Sequence, residues 1–320
     1  MGRKARPNLI VSLTGGLGNQ LFQVSNAIRC GVNSRIILAK DFGRPRLNSL
    51  GEPEINSFTL PFSHQFSTNL EAPFIIRKIL GHTLRIAEHP KDNEKNPYYF
   101  CLLKFTSSIF LTIYYGKFTL VKTIRDEMPK LGSSLCNYLL LGYFQFMPAE
   151  YSAMAKHILQ KIDISIRTEQ LEDDINYALT HQILFVHIRL TDYLKEPKIG
   201  LLSGSYFSQA VRQTLEKTQS KEIWVFSDDH TLAKDTLPVL GQVKIRYISE
   251  SEYSVAESFE LLRCGSHYVL SNSTFGWWAA FLSKKINPSV VIPNPWFRSL
   301  VYDPSIYLLD WQQMTSQWSE

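Results

Sequence analysis

Residues 184–193 of this 320-residue chain read Leu-Phe-Val-His-Ile-Arg-Leu-Thr-Asp-Tyr. The stretch begins as an apolar run of the kind a buried parallel strand shows, and it ends in His187, Arg189, Asp192 and Tyr193. In open α/β sheets, ligands collect just beyond the carboxyl ends of the strands. A permanent guanidinium at that edge needs an anion, and its planar fork suits phosphate better than the point charge of a lysine. The plainer reading is a strand end with a surface Arg–Asp pair. On this segment alone the two readings weigh about equally.

Two further strand ends carry polar groups. Glu222–Ser227 runs into Asp228-Asp229, and Tyr268–Leu270 runs into Ser271-Asn272-Ser273-Thr274-Phe275, which opens a helix. A cation for a diphosphate, a carboxylate for ribose or base, and a Ser/Thr helix start for phosphate oxygens make a nucleotide-diphosphate site. Each has an ordinary alternative, since Asp228-Asp229 and Ser273-Thr274 are both plausible helix caps. The three together favour a site. No Asp-x-Asp pair, Gly-x-Ser-x-Gly elbow or His-Glu-x-x-His stretch occurs, and Glu172-Asp173-Asp174 reads as a charged helix face. In a nucleotide-sugar transferase, Arg189 and backbone dipoles would then offset the leaving-group charge that other enzymes hand to a metal.

The elements that must position these groups alternate in the second half. Helices over Thr168–Thr180, Ser205–Gln219 and Ser254–Arg263 separate strands at Ile183–Arg189, Glu222–Ser227, Val243–Tyr247, Tyr268–Leu270 and, last, Val290–Ile292. Such alternation with short connections calls for a parallel, right-handed, doubly wound sheet. In the first half, a strand at Asn8–Leu13 meets Thr14-Gly15-Gly16-Leu17-Gly18-Asn19-Gln20, and helical spacing runs from Leu21 to Ile28. Strand, glycine turn and helix can aim N–H groups at a polar ligand. It is not the dinucleotide fingerprint, because Leu21 holds the third glycine position and no acidic residue closes the next strand before Asp41. Residues 41–135 are punctuated by prolines and are the least readable part. A helix starting at Pro148 marks the boundary between domains at 1–150 and 151–320.

Composition is globular, at 44% hydrophobic and 20% charged, with net charge +5. The charge is uneven: residues 1–150 hold 18 basic and 10 acidic side chains, and residues 151–320 hold 16 and 19. A basic first half hints at an anionic surface such as a membrane, although moderately basic domains are common. No nucleic-acid partner is expected. Cys30, Cys101, Cys136 and Cys264 have no paired spacing, which argues against zinc or a disulfide framework and for a reducing compartment. The basic start Met1–Arg6 is followed by too short an apolar run for a signal peptide. The apolar run Phe105–Gly116 is too short to span a bilayer. The sequence therefore reads as a cytoplasmic protein with peripheral contact to the inner face of the membrane as an option.

Gly15-Gly16-Leu17-Gly18-Asn19-Gln20-Leu21-Phe22-Gln23, Val186-His187-Ile188-Arg189 with Asp192-Tyr193, Phe226-Ser227-Asp228-Asp229, and Ser271-Asn272-Ser273-Thr274-Phe275-Gly276-Trp277-Trp278-Ala279-Ala280 resemble the ordered motifs of glycosyltransferase family 11. These are the α-1,2-fucosyltransferases, and the likeness is to bacterial members. One departure is that the family commonly has a second Arg and a Gly where this chain has Leu190 and Thr191. The resemblance implies a GT-B architecture, two Rossmann-like domains facing across a cleft, with GDP-β-L-fucose held by the C-terminal one. It implies an inverting, metal-independent transfer to the 2-hydroxyl of a terminal β-galactose, with no cofactor. By the same resemblance Arg189 would grip the β-phosphate and His187 would shape the same wall. Ser273, Thr274 and Phe275 would contact phosphate and fucose, and Asp228 would bind the guanosine end. Gly16, Gly18 and Asn19 would reach toward fucose and the diphosphate from the first domain. Asp192 is the candidate base, with Glu196 behind it.

The acceptor would be a galactose-terminated glycan, with a lipid-linked repeat unit of a surface polysaccharide or lipopolysaccharide among the options. A transferase of another linkage or GDP-sugar, and a non-catalytic glycan-binding protein, are the rival readings. An NAD-dependent oxidoreductase is disfavoured by the missing third glycine and ribose acid.

Overall fold

The computed structural model describes residues 8–30, 35–40, 42–62, 64–67, 73–88, 97–116, 118–123, 136–218, 220–237, 243–248 and 251–319. Met1–Arg6, Asp41 and Gln219 therefore lie outside the described residues. The chain divides into two compact units, Met1–Gln145 and Phe146–Glu320. Each is an α/β unit built on one parallel sheet.

The first unit runs β1 (Asn8–Ser12), α1 (Leu17–Cys30), β2 (Arg35–Ala39), β3 (Phe58–Thr59), β4 (His64–Ser67), α2 (Phe74–Glu88), α3 (Pro97–Tyr115), β5 (Thr119–Thr123) and β6 (Asn137–Leu141). Its sheet has the order β4-β2-β1-β6-β5, with every pairing parallel. Ile10, Ala39, Leu139 and Leu141 on the sheet pack against Ile76 and Leu80 of α2 and Leu111 of α3. The segment that punctuation made hard to read thus contains two long helices. In α3, apolar residues occur on every side, so helical periodicity never rises above the background.

The second unit opens with α4 (Ala149–Leu159), β7 (Asp163–Ile164), α5 (Glu169–Thr180) and β8 (Ile183–Ile188). The alternation continues through α6 (Gly204–Thr218), β9 (Glu222–Ser227), α7 (His230–Thr236), β10 (Lys244–Ile248), α8 (Val255–Leu262), β11 (His267–Leu270), α9 (Thr274–Phe281) and β12 (Ser289–Asn294). The expected last strand, Val290–Ile292, is followed by one more, β13 (Gln312–Thr315), paired parallel to β12. That strand is mostly polar because it forms a sheet edge, where only one flank is covered. The order is β10-β9-β8-β11-β12-β13.

Strand β8 is the axis of this sheet, and all six of its residues are buried. Successive side chains alternate between faces. Leu184, Val186 and Ile188 join Tyr206, Phe207 and Val211 of α6 on one side. Each such fully buried aliphatic is worth roughly 1.5–3 kcal/mol. Phe185, which stacks on Trp224 at 5.4 Å, and His187 take the other face. Helix starts are fixed locally: Thr168 caps α5, Asp229 caps α7, and Ser254 with Glu257 makes a capping box on α8. Asp229 is thus a cap, the plainer of its two sequence readings.

Candidate functional site

In the second sheet the chain adds β9 and β10 on one side of β8, then crosses to add β11 to β13 on the other. The reversal lies between β8 and β11, and a crevice at such a point is the usual ligand site of an open parallel sheet. Arg189 lies just past β8, Asp228 just past β9 and Asn272-Ser273 just past β11.

Arg189 is largely buried, at 17% side-chain exposure. Its Nε and Nη2 donate to the two oxygens of Asp192 at 2.8 and 2.7 Å, and Nε lies 3.3 Å from Asp228 Oδ2. Burial works against the charge, but the two carboxylates more than offset it and the guanidinium pKa is raised. The Nε–Nη2 edge is therefore committed. Among the described residues, Nη1 has no partner, which leaves the outer edge of the fork for an anion.

Asp228 acts on the turn after β8. Its Oδ1 accepts the Leu190 N–H at 2.9 Å, and Oδ2 accepts the Thr191 N–H at 3.1 Å and the Thr191 hydroxyl at 2.5 Å. Both oxygens accept N–H groups of this turn, so the carboxylate has a positioning task of its own. Two of these three bonds come from backbone N–H groups, which any residue but proline supplies, and the third comes from the Thr191 hydroxyl. Leu190 is buried in the core cluster instead of presenting a second cation.

The other wall is the start of α9. Ser273 sits at its N-cap position and makes no side-chain capping bond. First-turn N–H groups, among them those of Phe275 and Gly276, have no helical carbonyl to donate to, and they carry the positive end of the helix dipole. Helix and strand meet closely here. A Cβ on Gly276 would lie 2.9 Å from Cγ and Nδ1 of His187, so only glycine lets α9 lie on the imidazole. Nδ1 of His187 is 3.0 Å from Ser271 Oγ, and its ring lies 5.6 Å from that of Phe275. Burial, helped by the Arg189 cation, pushes the His187 imidazole down to about 4, so it is neutral at pH 7. Tyr193 ties the two walls together, its hydroxyl donating to the Asn272 carbonyl at 2.9 Å. Burial raises the pKa of this phenol, which stays protonated.

The glycine turn of the first unit is built differently. Gly15 takes a left-handed φ of +71°, and a Cβ there would collide with Asn19 at 2.4 Å. Gln20 donates to the Gly15 and Arg46 carbonyls at 2.9 and 3.1 Å, and Gln145 donates to Asn19 Oδ1 at 2.8 Å. Gly16 opens the turn into α1, and Gly18 is buried within that helix. At the helix start, the buried carboxylate of Glu54 accepts the Leu17 N–H at 2.5 Å. A side-chain carboxylate thus takes one of the N–H groups that a helix start offers to anions.

His187, Arg189, Asp192, Asp228, Ser273, Thr274 and Phe275 thus gather at one sheet edge of the second unit. Gly16, Gly18 and Asn19 share one turn of the first. Glu54, Tyr193 and Gly276 were missed as positioning groups. A lone Glu in a loop carries no pattern, whereas Tyr193 and Gly276 lay inside recognised motifs without a stated task. Asn272 lies between the end of β11 and the start of α9. Its amide donates to the Ile199 and Gly200 carbonyls at 3.3 and 3.0 Å, and its buried Oδ1 has no partner among the described residues. Among the described residues, no cluster of three or more His, Cys, Asp or Glu side chains is placed to hold a metal ion.

Comparison with known proteins places this arrangement. The chain is 24% identical over 315 residues to the O-antigen biosynthesis glycosyltransferase WbnK of Escherichia coli, covering 89% of this chain and 93% of that one. It is 25% identical over 154 residues to an α-1,2-colitosyltransferase of Escherichia coli, covering 46% of this chain and 51% of the relative. Among solved structures, the POFUT1 complex with GDP superposes with a TM-score of 0.50 at 13% identity, over 88% of this chain and 96% of that one, a likeness of fold. The glycosyl transferase family 11 model matches residues 108–315, which span the whole constellation of the second unit, and the chain belongs to that family.

Proposed function

We propose that this glycosyltransferase moves L-fucose from GDP-β-L-fucose to the 2-hydroxyl of a terminal β-galactose, with inversion and without a metal. The observation that carries the reading is the open outer edge of Arg189 at the switch point that also holds the start of α9, where the Ser273 side chain makes no capping bond. A guanidinium and a helix N-terminus are the two groups that best offset charge on a departing diphosphate. In the proposed step the acceptor oxygen attacks the anomeric carbon as the bond to the β-phosphate oxygen breaks. GDP leaves with that electron pair, and the hydroxyl proton passes to a carboxylate or to water.

Within this scheme Arg189 grips the β-phosphate, while Ser273, Thr274 and Phe275 contact phosphate and fucose. Neutral His187 supports the wall. Asp192 holds the guanidinium and is the candidate base, with Glu196 behind it. We assign Asp228 to positioning the Leu190–Thr191 turn in place of guanosine contact. Gly16, Gly18 and Asn19 shape the acceptor-side turn. The relative named for O-antigen synthesis supports a surface-polysaccharide acceptor, including a lipid-linked repeat unit. The colitosyltransferase relative favours the 1,2 linkage and makes the donor sugar the point to test.

The test is GDP release from GDP-fucose with and without a β-galactoside, followed by product linkage from NMR. Release only with acceptor, an α-1,2 product and activity that persists in EDTA support the proposal. Binding without turnover would make the chain a glycan-binding protein, and a strict Mg²⁺ or Mn²⁺ requirement would remove the metal-free step.

A further inference from the structure

Helix α3 carries an apolar face that its own unit does not cover. Phe100, Ser107, Ser108 and Leu111 point inward and are buried. Tyr98, Leu102, Phe105, Ile109 and Ile113 recur at i, i+4, i+7, i+11 and i+15, and all five are exposed, Tyr98 to 86%, Phe105 to 63% and Ile113 to 74%. At 100° per residue they fall within an arc of roughly 80°, opposite the buried side, and run about 22 Å along the axis. A surface helix normally turns its polar residues outward. This one presents a continuous aromatic and aliphatic stripe.

Along α2 and α3 the charge is almost all of one sign. Among the residues of α3, Lys104 is the only charged one, and α2, packed antiparallel beside it, exposes Arg77, Lys78 and Arg85. The only carboxylate on either helix is Glu88, the last residue of α2. The His82–Tyr99 pair, with rings 5.8 Å apart, holds α2 next to the outward side of α3. No helix among the described residues is long and apolar enough to cross a membrane. An apolar, aromatic stripe flanked by lysine and arginine is the pattern of a helix lying in the plane of a lipid interface.

We propose that the outward face of α3, with the basic residues of α2, docks the chain on an anionic lipid bilayer. The apolar side chains enter the headgroup boundary, and Arg77, Lys78 and Arg85 meet lipid phosphates, each adding electrostatic attraction that salt screens. A stripe bare of carboxylates and backed by three cations matches a negatively charged sheet. The inference does not depend on the transferase reading.

The test is sedimentation of the full chain with vesicles of phosphatidylcholine alone or mixed with phosphatidylglycerol. Binding to the mixed vesicles, weakened by raised salt, is the expected result. Phe105→Glu with Ile113→Glu should weaken it by at least about tenfold, and Arg77→Glu with Lys78→Glu should remove its preference for phosphatidylglycerol. These side chains project away from the core, and circular dichroism checks that the helices remain. Absence of binding by the parent chain overturns the proposal, as does equal binding by the Phe105/Ile113 variant. Analytical ultracentrifugation supplies the other refutation: a dimer that this variant splits into monomers would make the face a contact between two copies.

Discussion

Asp228→Asn separates a carboxylate that clamps the backbone from one that reads a nucleobase. The carboxylate accepts from Leu190 N–H, Thr191 N–H and Thr191 Oγ1 at 2.9, 3.1 and 2.5 Å, and it lies 3.3 Å from Arg189 Nε. An amide of the same shape has one accepting oxygen. If that oxygen keeps Leu190, the new NH₂ faces the Thr191 N–H, and the Thr191 hydroxyl must reverse to accept. One charge-assisted bond is lost outright and the ion contact to Arg189 disappears. Hydrogen bonds to charged groups are worth about 1.5–3 kcal/mol each, so the expected loss is roughly 2–4 kcal/mol. All six tryptophans of the chain lie in the second unit, so urea unfolding followed by tryptophan fluorescence reports that unit alone. Displacing Arg189 should also weaken GDP and inorganic pyrophosphate by the same factor. An unchanged urea midpoint, with weakening confined to guanine nucleotides, would refute the clamp and restore Asp228 to the guanosine.

Arg189→Ala should lower kcat by about 100-fold or more, the scale of roughly 2.7 kcal/mol of lost charge stabilisation, and near-normal turnover would take Arg189 out of the mechanism. His187 titrates near 4 in the folded chain, against about 6.5 when unfolded. The unfolded state therefore binds the extra proton. The associated stability is whole above pH 6.5 and lost as pH falls toward 4, a change on the order of 3 kcal/mol that His187→Asn should lack in fluorescence-detected unfolding. Gly276→Ala should cost about 1–3 kcal/mol by driving a methyl into the imidazole. Most of that cost should vanish in a His187→Ala background, and a double-mutant coupling near zero would mean that the close approach is not what requires glycine.

Much of the second unit was legible because its central strands are buried on both faces. Ile183–Ile188 and Glu222–Ser227 read as apolar runs whatever surrounds them. Gln312–Thr315 did not, because an edge strand can be polar on its open flank. Helix α3 escaped for the opposite reason, since apolar residues on its outward face erased the periodicity that marks amphipathic helices. Within the site, sequence located the residues better than their tasks. Arg189 and Asp192 announce an ion pair by their spacing. Nothing in Asp228 says that its partners are main-chain N–H groups, because a backbone donor has no letter in the sequence. Glu54 is quieter still, 37 residues from the amide it caps.

The Glu54 plug in the first unit has a bearing on selectivity. A side chain tethered beside an amide cluster competes at an effective concentration that a free solute in the cell rarely matches. A dissolved anion such as inorganic phosphate would have to displace the Glu54 carboxylate to reach the Leu17 N–H. At the start of α9 the Ser273 side chain makes no capping bond, so the two helix starts differ in what a dissolved anion would have to displace.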